Sequence, residues 1–268
     1  MSRRTGKQCA AVALILLGAS WPDGSLAGAW TLAEGTGQVI VTGLVSAADS
    51  AFDAQADLAG RPDFEKGTVS LLLEYGLTDQ LTLLASGEAG NERDGDLPVA
   101  RPALFDAAIG ARLRLFEAEG LVVSGQLSAR IERAQAADLE GFAGLDWTSP
   151  QIEPRLLAGY GFSLAGYPAF AEAQAGYRFS LGEGPDEVKL DVTFGIRPWE
   201  DLLVLAQGFS TIAVDGYGGS PYAYHKAQGS IVYDLNDHWS LQAGAFATVA
   251  GREALRERGL ISAIWYRF

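Results

Sequence analysis

Along most of the chain, apolar and polar residues change places at every step. In 188–197, Val188, Leu190, Val192, Phe194 and Ile196 share one parity, while Lys189, Asp191, Thr193, Gly195 and Arg197 share the other. In 121–132, Leu121, Val123, Leu127, Ala129 and Ile131 oppose Ser124, Gln126, Ser128, Arg130 and Glu132. Period two belongs to a strand, whose successive side chains point to opposite faces. The same alternation, punctuated by turn residues, predicts twelve strands: 38–46, 68–77, 81–90, 105–116, 121–132, 152–164, 169–180, 188–197, 202–214, 222–235, 239–250 and 259–268.

The connections form a second pattern. Every other one is short and built from turn formers: Thr78-Asp79-Gln80, 117–120, 165–168, 198–201 and Asn236-Asp237-His238. The intervening ones (47–67, 91–104, 133–151, 181–187, 215–221 and 251–258) are mostly longer and more polar. Short turns on one rim, long loops on the other and an even strand count fit a bacterial outer-membrane barrel, with the short turns and both termini periplasmic. The final strand carries Leu260, Ser262, Ile264, Tyr266 and Phe268 on one face and ends on an aromatic. That ending resembles the C-terminal signature of outer-membrane proteins, whose last strand closes the sheet. A soluble sandwich or lipocalin-like barrel also has regular short strands, and alternation does not say which face is inside. The terminal aromatic strand, the loop asymmetry and the 33 glycines favour polar-in and apolar-out. The expected fold is all-β: one transmembrane antiparallel up-and-down barrel of about 12 strands.

The amino end changes the count of residues that belong to the barrel. Arg3, Arg4 and Lys7 precede an apolar run, 9–17, too short to span a bilayer as a helix. Ser25-Leu26-Ala27 then offers a small-x-Ala cleavage site before Gly28. Residues 1–27 therefore read as a secretory signal peptide and 28–268 as the barrel. Cys9 is the only cysteine and falls in the leader, so the mature chain has no disulfide, thiol nucleophile or cysteine metal site. The full chain carries a formal charge of −13; without the leader, 17 basic residues face 32 acidic ones, or −15. A phosphate binder needs a basic surface, so nucleic acid is not an expected partner.

Placing the polar parity inward sets the candidate lumen lining: Arg112, Arg114, Arg130, Glu132, Arg155, Glu172, Arg178, Lys189, Asp191, Arg197, Lys226 and Asp234. Two roles are open to these residues. Ion pairs among them would fill a narrow interior and hold strand register. Alternatively, Arg112, Arg114, Arg130, Arg155, Arg178 and Arg197 would form a basic strip guiding anions or acidic sugars, since rings of charged side chains and pore diameter set selectivity. Eight strands leave a filled interior and sixteen or more an aqueous channel, so twelve lies between.

Catalysis and metal binding gain little support. Twelve-stranded outer-membrane phospholipases of the phospholipase A family carry a His-x-Ser pair with an Asn further on. His238-Trp239-Ser240 has that spacing, on one strand face. His238, however, falls in a short turn, and no Asn follows Ser240. No enzymatic activity is expected. His225 reads as a rim residue; two histidines without cysteines do not make a transition-metal site. Asp49, Asp53 and Asp57 recur every four residues without EF-hand spacing and read as an acidic surface loop. No cofactor is expected.

Gly28-Ala29-Trp30-Thr31, followed by Gly35-Thr36-Gly37-Gln38-Val39-Ile40, resembles the start of mature XagA-type proteins, small outer-membrane proteins associated with extracellular polysaccharide and biofilm production. Glu74-Tyr75-Gly76-Leu77-Thr78-Asp79-Gln80-Leu81-Thr82-Leu83 is a second similar stretch, shared by many barrels. Together they cover about a tenth of the chain. The resemblance implies a role in moving or anchoring an exopolysaccharide and supplies no site residues. By architecture alone, oligogalacturonate-type porins are a further relative. The expected partners are outer-membrane lipid, an anionic or amino-sugar polysaccharide and periplasmic polysaccharide machinery. The expected task is export or passage of an oligosaccharide; a sealed structural or adhesion-related barrel is the alternative.

Overall fold

In a computed structural model the chain is described over residues 28–94, 103–135, 147–182, 184–214 and 221–268; for residues 62, 94, 103–105, 132–135 and 147–149 the backbone alone is described. Twelve long strands make the wall: β1 (Gly37–Phe52), β2 (Leu58–Thr78), β3 (Leu81–Asp94), β4 (Ala103–Ala118), β5 (Leu121–Gln135), β6 (Trp147–Leu164), β7 (Tyr167–Ser180), β8 (Glu187–Trp199), β9 (Leu202–Ala213), β10 (Ala223–Asp234), β11 (Trp239–Arg252) and β13 (Arg258–Arg267). A two-residue strand, β12 (Ala254–Leu255), rests on the long-loop end of β1. Each long strand pairs antiparallel with the next long strand, β11 with β13, and β1 pairs with both β2 and β13. The sheet is therefore closed. Gln38 lies opposite Arg267 and Val39 opposite Tyr266, so the aromatic C-terminal strand is the closing strand.

The short rim is made of tight hairpins. Glu119-Gly120 and Ala165-Gly166 each place two successive residues at positive φ, the geometry of a type I′ turn, whose twist matches the strands it joins. The opposite rim departs from expectation at its first connection. The predicted loop 47–67 is mostly strand: β1 runs on to Phe52, β2 starts at Leu58, and Ala51 pairs with Ala59. The turn between them is capped by Asp53, whose carboxylate accepts the Gln55 and Asp57 amides at 2.9 Å each. Beyond the lipid-facing belt both strand faces are wet, so no alternation marks the extension. Residues 95–102, 136–146 and 215–220 of the other expected loops lie outside the described residues.

Burial decides the facing. The residues turned to the surroundings are apolar: Ile109 is 69% exposed, Val192 56% and Leu127 57%. Those turned inward include Glu74, Arg112, Glu153, Glu187 and Lys189, all under a tenth exposed. A soluble protein does not expose a continuous apolar belt of this kind; a barrel in lipid does. Near the short-turn rim Tyr75, Phe116, Tyr160, Tyr167, Trp199, Tyr233, Trp239 and Phe268 face outward. Aromatic side chains concentrate at membrane–water interfaces because one end is apolar and the other polar.

Candidate functional site: the lumen and its amino-terminal segment

The candidate lumen residues whose side chains are described, Glu172 apart, fall into ion-paired groups. On β6, β7 and β8 a continuous chain runs from Lys189 to Glu187 (2.9 Å), Glu187 to Arg178 (3.0 Å), Arg178 to Glu153 (2.7 Å), Glu153 to Arg155, and Arg155 to Asp191 (2.5 Å). Three cations meet three anions. Elsewhere Arg112 holds Glu74 at 2.8 Å, Arg130 holds Asp106 at 2.5 Å and Lys226 holds Glu257 at 2.5 Å. Arg197 and Arg267 share Asp234, at 2.9 and 3.3 Å. Arg114 sits at the short rim beside a bulge and pairs with Glu117 at 2.6 Å. Glu132 faces Asp106 by backbone register, and its side chain lies outside the described residues.

The six arginines of the anticipated basic strip thus each hold a carboxylate. They form a ladder of dipoles along the wall, with no net positive track. Breaking one partly buried member strands its partner in a poorly solvated place, at about 3–5 kcal/mol for a fully buried pair. The ladder therefore fixes register as well as lining the lumen.

Sequence reasoning attended to the polar members of the inward parity and passed over the apolar ones. Leu203 and Leu205 of β9, Val232 of β10 and Ala263 and Trp265 of β13 form one buried cluster inside the barrel, with Ile40 and Phe170 packed against it. Ile264, beside Trp265 in sequence, faces out at 49% exposure. The Trp265 indole donates to Gln242 at 3.1 Å.

The segment before β1 reaches the edge of that cluster at Phe170. Residues 28–32 lie inside the short-turn end of the barrel, and the exposed residues 33–36 lead from them to β1. Trp30 meets Phe170 edge-on, with centroids 5.9 Å apart at 79°, and so extends the cluster toward β6. The segment's backbone is held by wall side chains. The Ala29 amide donates to Glu172 at 3.2 Å, and Ser124 donates to the Ala29 carbonyl at 2.6 Å. Arg112 donates to the Trp30 carbonyl at 3.1 Å, and the Leu32 amide to Thr82 at 2.8 Å. Asp79 in the first hairpin takes the Thr31 hydroxyl on its carbonyl and the Glu34 amide on its carboxylate. Room for the indole comes from Gly159: a Cβ there would lie 2.5 Å from Trp30 Cζ3 and 2.9 Å from Ala29 Cβ. The available sequence signals were an apolar Ala29-Trp30 pair ahead of the first strand and glycine on the inward parity of β6.

The His-x-Ser spacing does not bring its two groups together. His238 Nδ1 hydrogen-bonds the Arg267 carbonyl at 2.8 Å, whereas Ser240 is fully buried and donates to Asp234 at 2.5 Å. His225 pairs with Ser210 at 2.8 Å. Among the described residues there is no cluster of three or more metal-ligating side chains.

The closed barrel fold has solved counterparts. An outer membrane channel from Pseudomonas putida F1 is similar over 90% of this chain and 98% of its own, with a TM-score of 0.67 at 14% identity. The fold is that of an outer-membrane β-barrel. The translocator domain of the autotransporter NalP from Neisseria meningitidis is similar over 88% and 90% of the two chains (TM-score 0.54, 12% identity). The NanC porin is similar over 85% and 98% (TM-score 0.54, 8% identity). At these identities the likeness is one of fold alone. No protein-family model matches the chain, and no curated protein does.

Proposed function

We propose that the chain is an outer-membrane channel passing a polar, charged oligomer, with an exopolysaccharide chain as the favoured cargo. The observation that carries this reading is the paired ladder from Lys189 to Asp191, continued by Arg112, Arg130 and Arg197. Alternating donors and acceptors along a wall exchange hydrogen bonds with a sugar chain without binding it tightly, and passage requires binding weak enough to release. The similar structures that are themselves channels or porins support the same class. In this arrangement the short turns and termini are periplasmic and the long loops extracellular. The seated 28–36 segment is the gate, and periplasmic polysaccharide machinery is the partner placed to move it. The exterior belt meets outer-membrane lipid. The reading assigns no reaction and no cofactor.

The test is conductance of the refolded mature protein in a planar bilayer, with and without charged oligosaccharides. Stepwise currents blocked by an oligosaccharide, and altered by Arg130→Ala with Arg155→Ala, support a selective channel. A correctly folded barrel that stays silent even without residues 28–36 overturns it. The burial of Leu203, Val232 and Trp265 favours a second reading, a sealed scaffold in matrix assembly; that silence is its expected result.

A further inference from the structure

Five carboxylates among the described residues are buried: Glu74, Glu153, Glu172, Glu187 and Glu257. Four hold a cation: Arg112, Arg155 and Arg178, Arg178 and Lys189, and Lys226 respectively. Glu172 has no lysine or arginine within ion-pair distance among the described residues. It is 5% exposed and takes hydrogen bonds from the Ala29 amide at 3.2 Å and from Gln174. Burying an unpaired carboxylate is costly, and proteins supply a partner or give up the charge.

The residue beside Glu172 is Gly28. A Cβ built on Gly28 would stand 3.2 Å from Glu172 Oε1 and 2.6 Å from Gln174 Nε2. A side chain at this position would displace Gln174 and crowd Glu172, so a residue without one sets the end of the segment beside the Glu172 carboxylate. Gly28 is also the residue that follows the small-x-Ala site Ser25-Leu26-Ala27. Hydrolysis of the Ala27–Gly28 amide adds one water. The carbonyl carbon of Ala27 takes the oxygen and becomes a carboxylate on the departing leader. The nitrogen of Gly28 takes protons and becomes an ammonium.

We infer that leader removal supplies the missing partner of Glu172: the new α-ammonium of Gly28 pairs with the Glu172 carboxylate and latches the 28–32 segment inside the barrel. Before cleavage the same nitrogen is a neutral amide, and Glu172 has no cation in ion-pair contact among the described residues. After cleavage the segment is anchored at its tip by a charge-assisted contact. Maturation and closure of the lumen are then one event. The gating consequence rests on the channel reading above, whereas the contact itself does not.

The protein is purified from outer membranes and its intact mass recorded; a chain beginning at Gly28 is expected, and another start overturns the inference. The α-amine is then reductively methylated with formaldehyde and borohydride, and its rate compared in the folded barrel and in urea. Folded wild type should react about tenfold or more slowly, the factor a charge-assisted contact supplies. In Glu172→Gln, which keeps shape and removes charge, the rate should rise toward the unfolded one. Equal rates in folded and unfolded wild type overturn the latch. Equal protection in wild type and Glu172→Gln also overturns it, because burial alone would then explain the slow reaction. Should Glu172→Gln fail to fold, the pH profile of wild-type labelling decides. A paired α-amine loses its proton at higher pH than the ordinary value of about 8, and an unshifted profile refutes pairing. A protected amine in a barrel silent with and without residues 28–36 leaves the latch and removes the channel. An unprotected amine in a conducting barrel does the reverse.

Discussion

Gly159→Val is the substitution that most directly separates the amino-terminal segment from the wall that holds it. Gly159 lies on β6 with its Cα facing the Trp30 ring, and a Cβ there would stand 2.5 Å from Cζ3. Valine suits a strand, so the wall tolerates it while the indole must leave. The segment has little margin to absorb that loss. Its six side-chain-mediated hydrogen bonds contribute about 1 kcal/mol each. The Trp30–Phe170 contact adds about 1 kcal/mol and the apolar burial of Ala29, Trp30 and Leu32 about 3 kcal/mol. Against that total of about 10 kcal/mol, ordering residues 29–34 costs roughly 6–12 kcal/mol. The two sides nearly cancel, so the seated state is poised. Losing the aromatic contact and the Arg112 bond to the Trp30 carbonyl removes about 2 kcal/mol, and losing the burial of the indole about 2 more. That shifts the seated-to-unseated ratio ~1,000-fold. The assay is single-channel recording of Gly159→Val beside wild type and a chain lacking 28–36. Open probability in Gly159→Val should rise toward that of the truncated chain, with heat-modifiable migration unchanged. If truncation opens the pore and Gly159→Val leaves it as closed as wild type, the Trp30 seat is not what closes it.

Three further outcomes follow from the same contacts. Arg112→Ala strands Glu74, whose remaining bonded partner is Gln38, and should lower barrel stability by about 3–5 kcal/mol in urea titration; adding Glu74→Leu should recover most of it, and no recovery refutes pairing as the cause. Burial works to raise the Glu257 carboxyl, yet Lys226, Ser46 and Lys66 hold it below its usual value. A lowered folded pKa stabilises above the unfolded value of about 4.3 and ceases to do so as pH falls through the folded one. Glu257→Gln should therefore speed amide exchange around β12 at neutral pH and leave it unchanged in strong acid; an equal effect at both would exclude the ion pair. Asp53→Ala removes the cap on the first long-rim turn and should loosen it by about 1 kcal/mol, read as faster exchange at 54–57 with an unchanged unfolding midpoint.

The strand count and the closing strand were legible because a wall one residue thick, between lipid and lumen, imposes strict alternation on every membrane-crossing segment. Val188–Arg197 and Leu260–Phe268 show it without any knowledge of their neighbours. Where that constraint lapses the pattern is silent, as in the β1 and β2 extensions taken for a loop, since both faces there meet water. The inward polar positions were legible for the same reason, but their pairing was not. Arg155 reaches Asp191 two strands away, and Arg197 and Arg267 converge on Asp234 from β8 and β13. Such meetings depend on shear and closure, which no local spacing encodes.

The seat of the amino-terminal segment depends on tertiary structure in the strongest sense. Gly28-Ala29-Trp30-Thr31 has neither alternation nor a turn signature, and its bonds go to β3, β4, β5, β7 and the first hairpin. A segment held by side chains from five places on a ring has no address until the ring closes. The sequence by itself determined the wall: the strands and their alternating faces follow from period two, and closure from the demand that every backbone group be paired in lipid. Only the closed structure decided what the wall encloses, because contacts across a lumen join residues whose separation along the chain carries no trace of their distance in space.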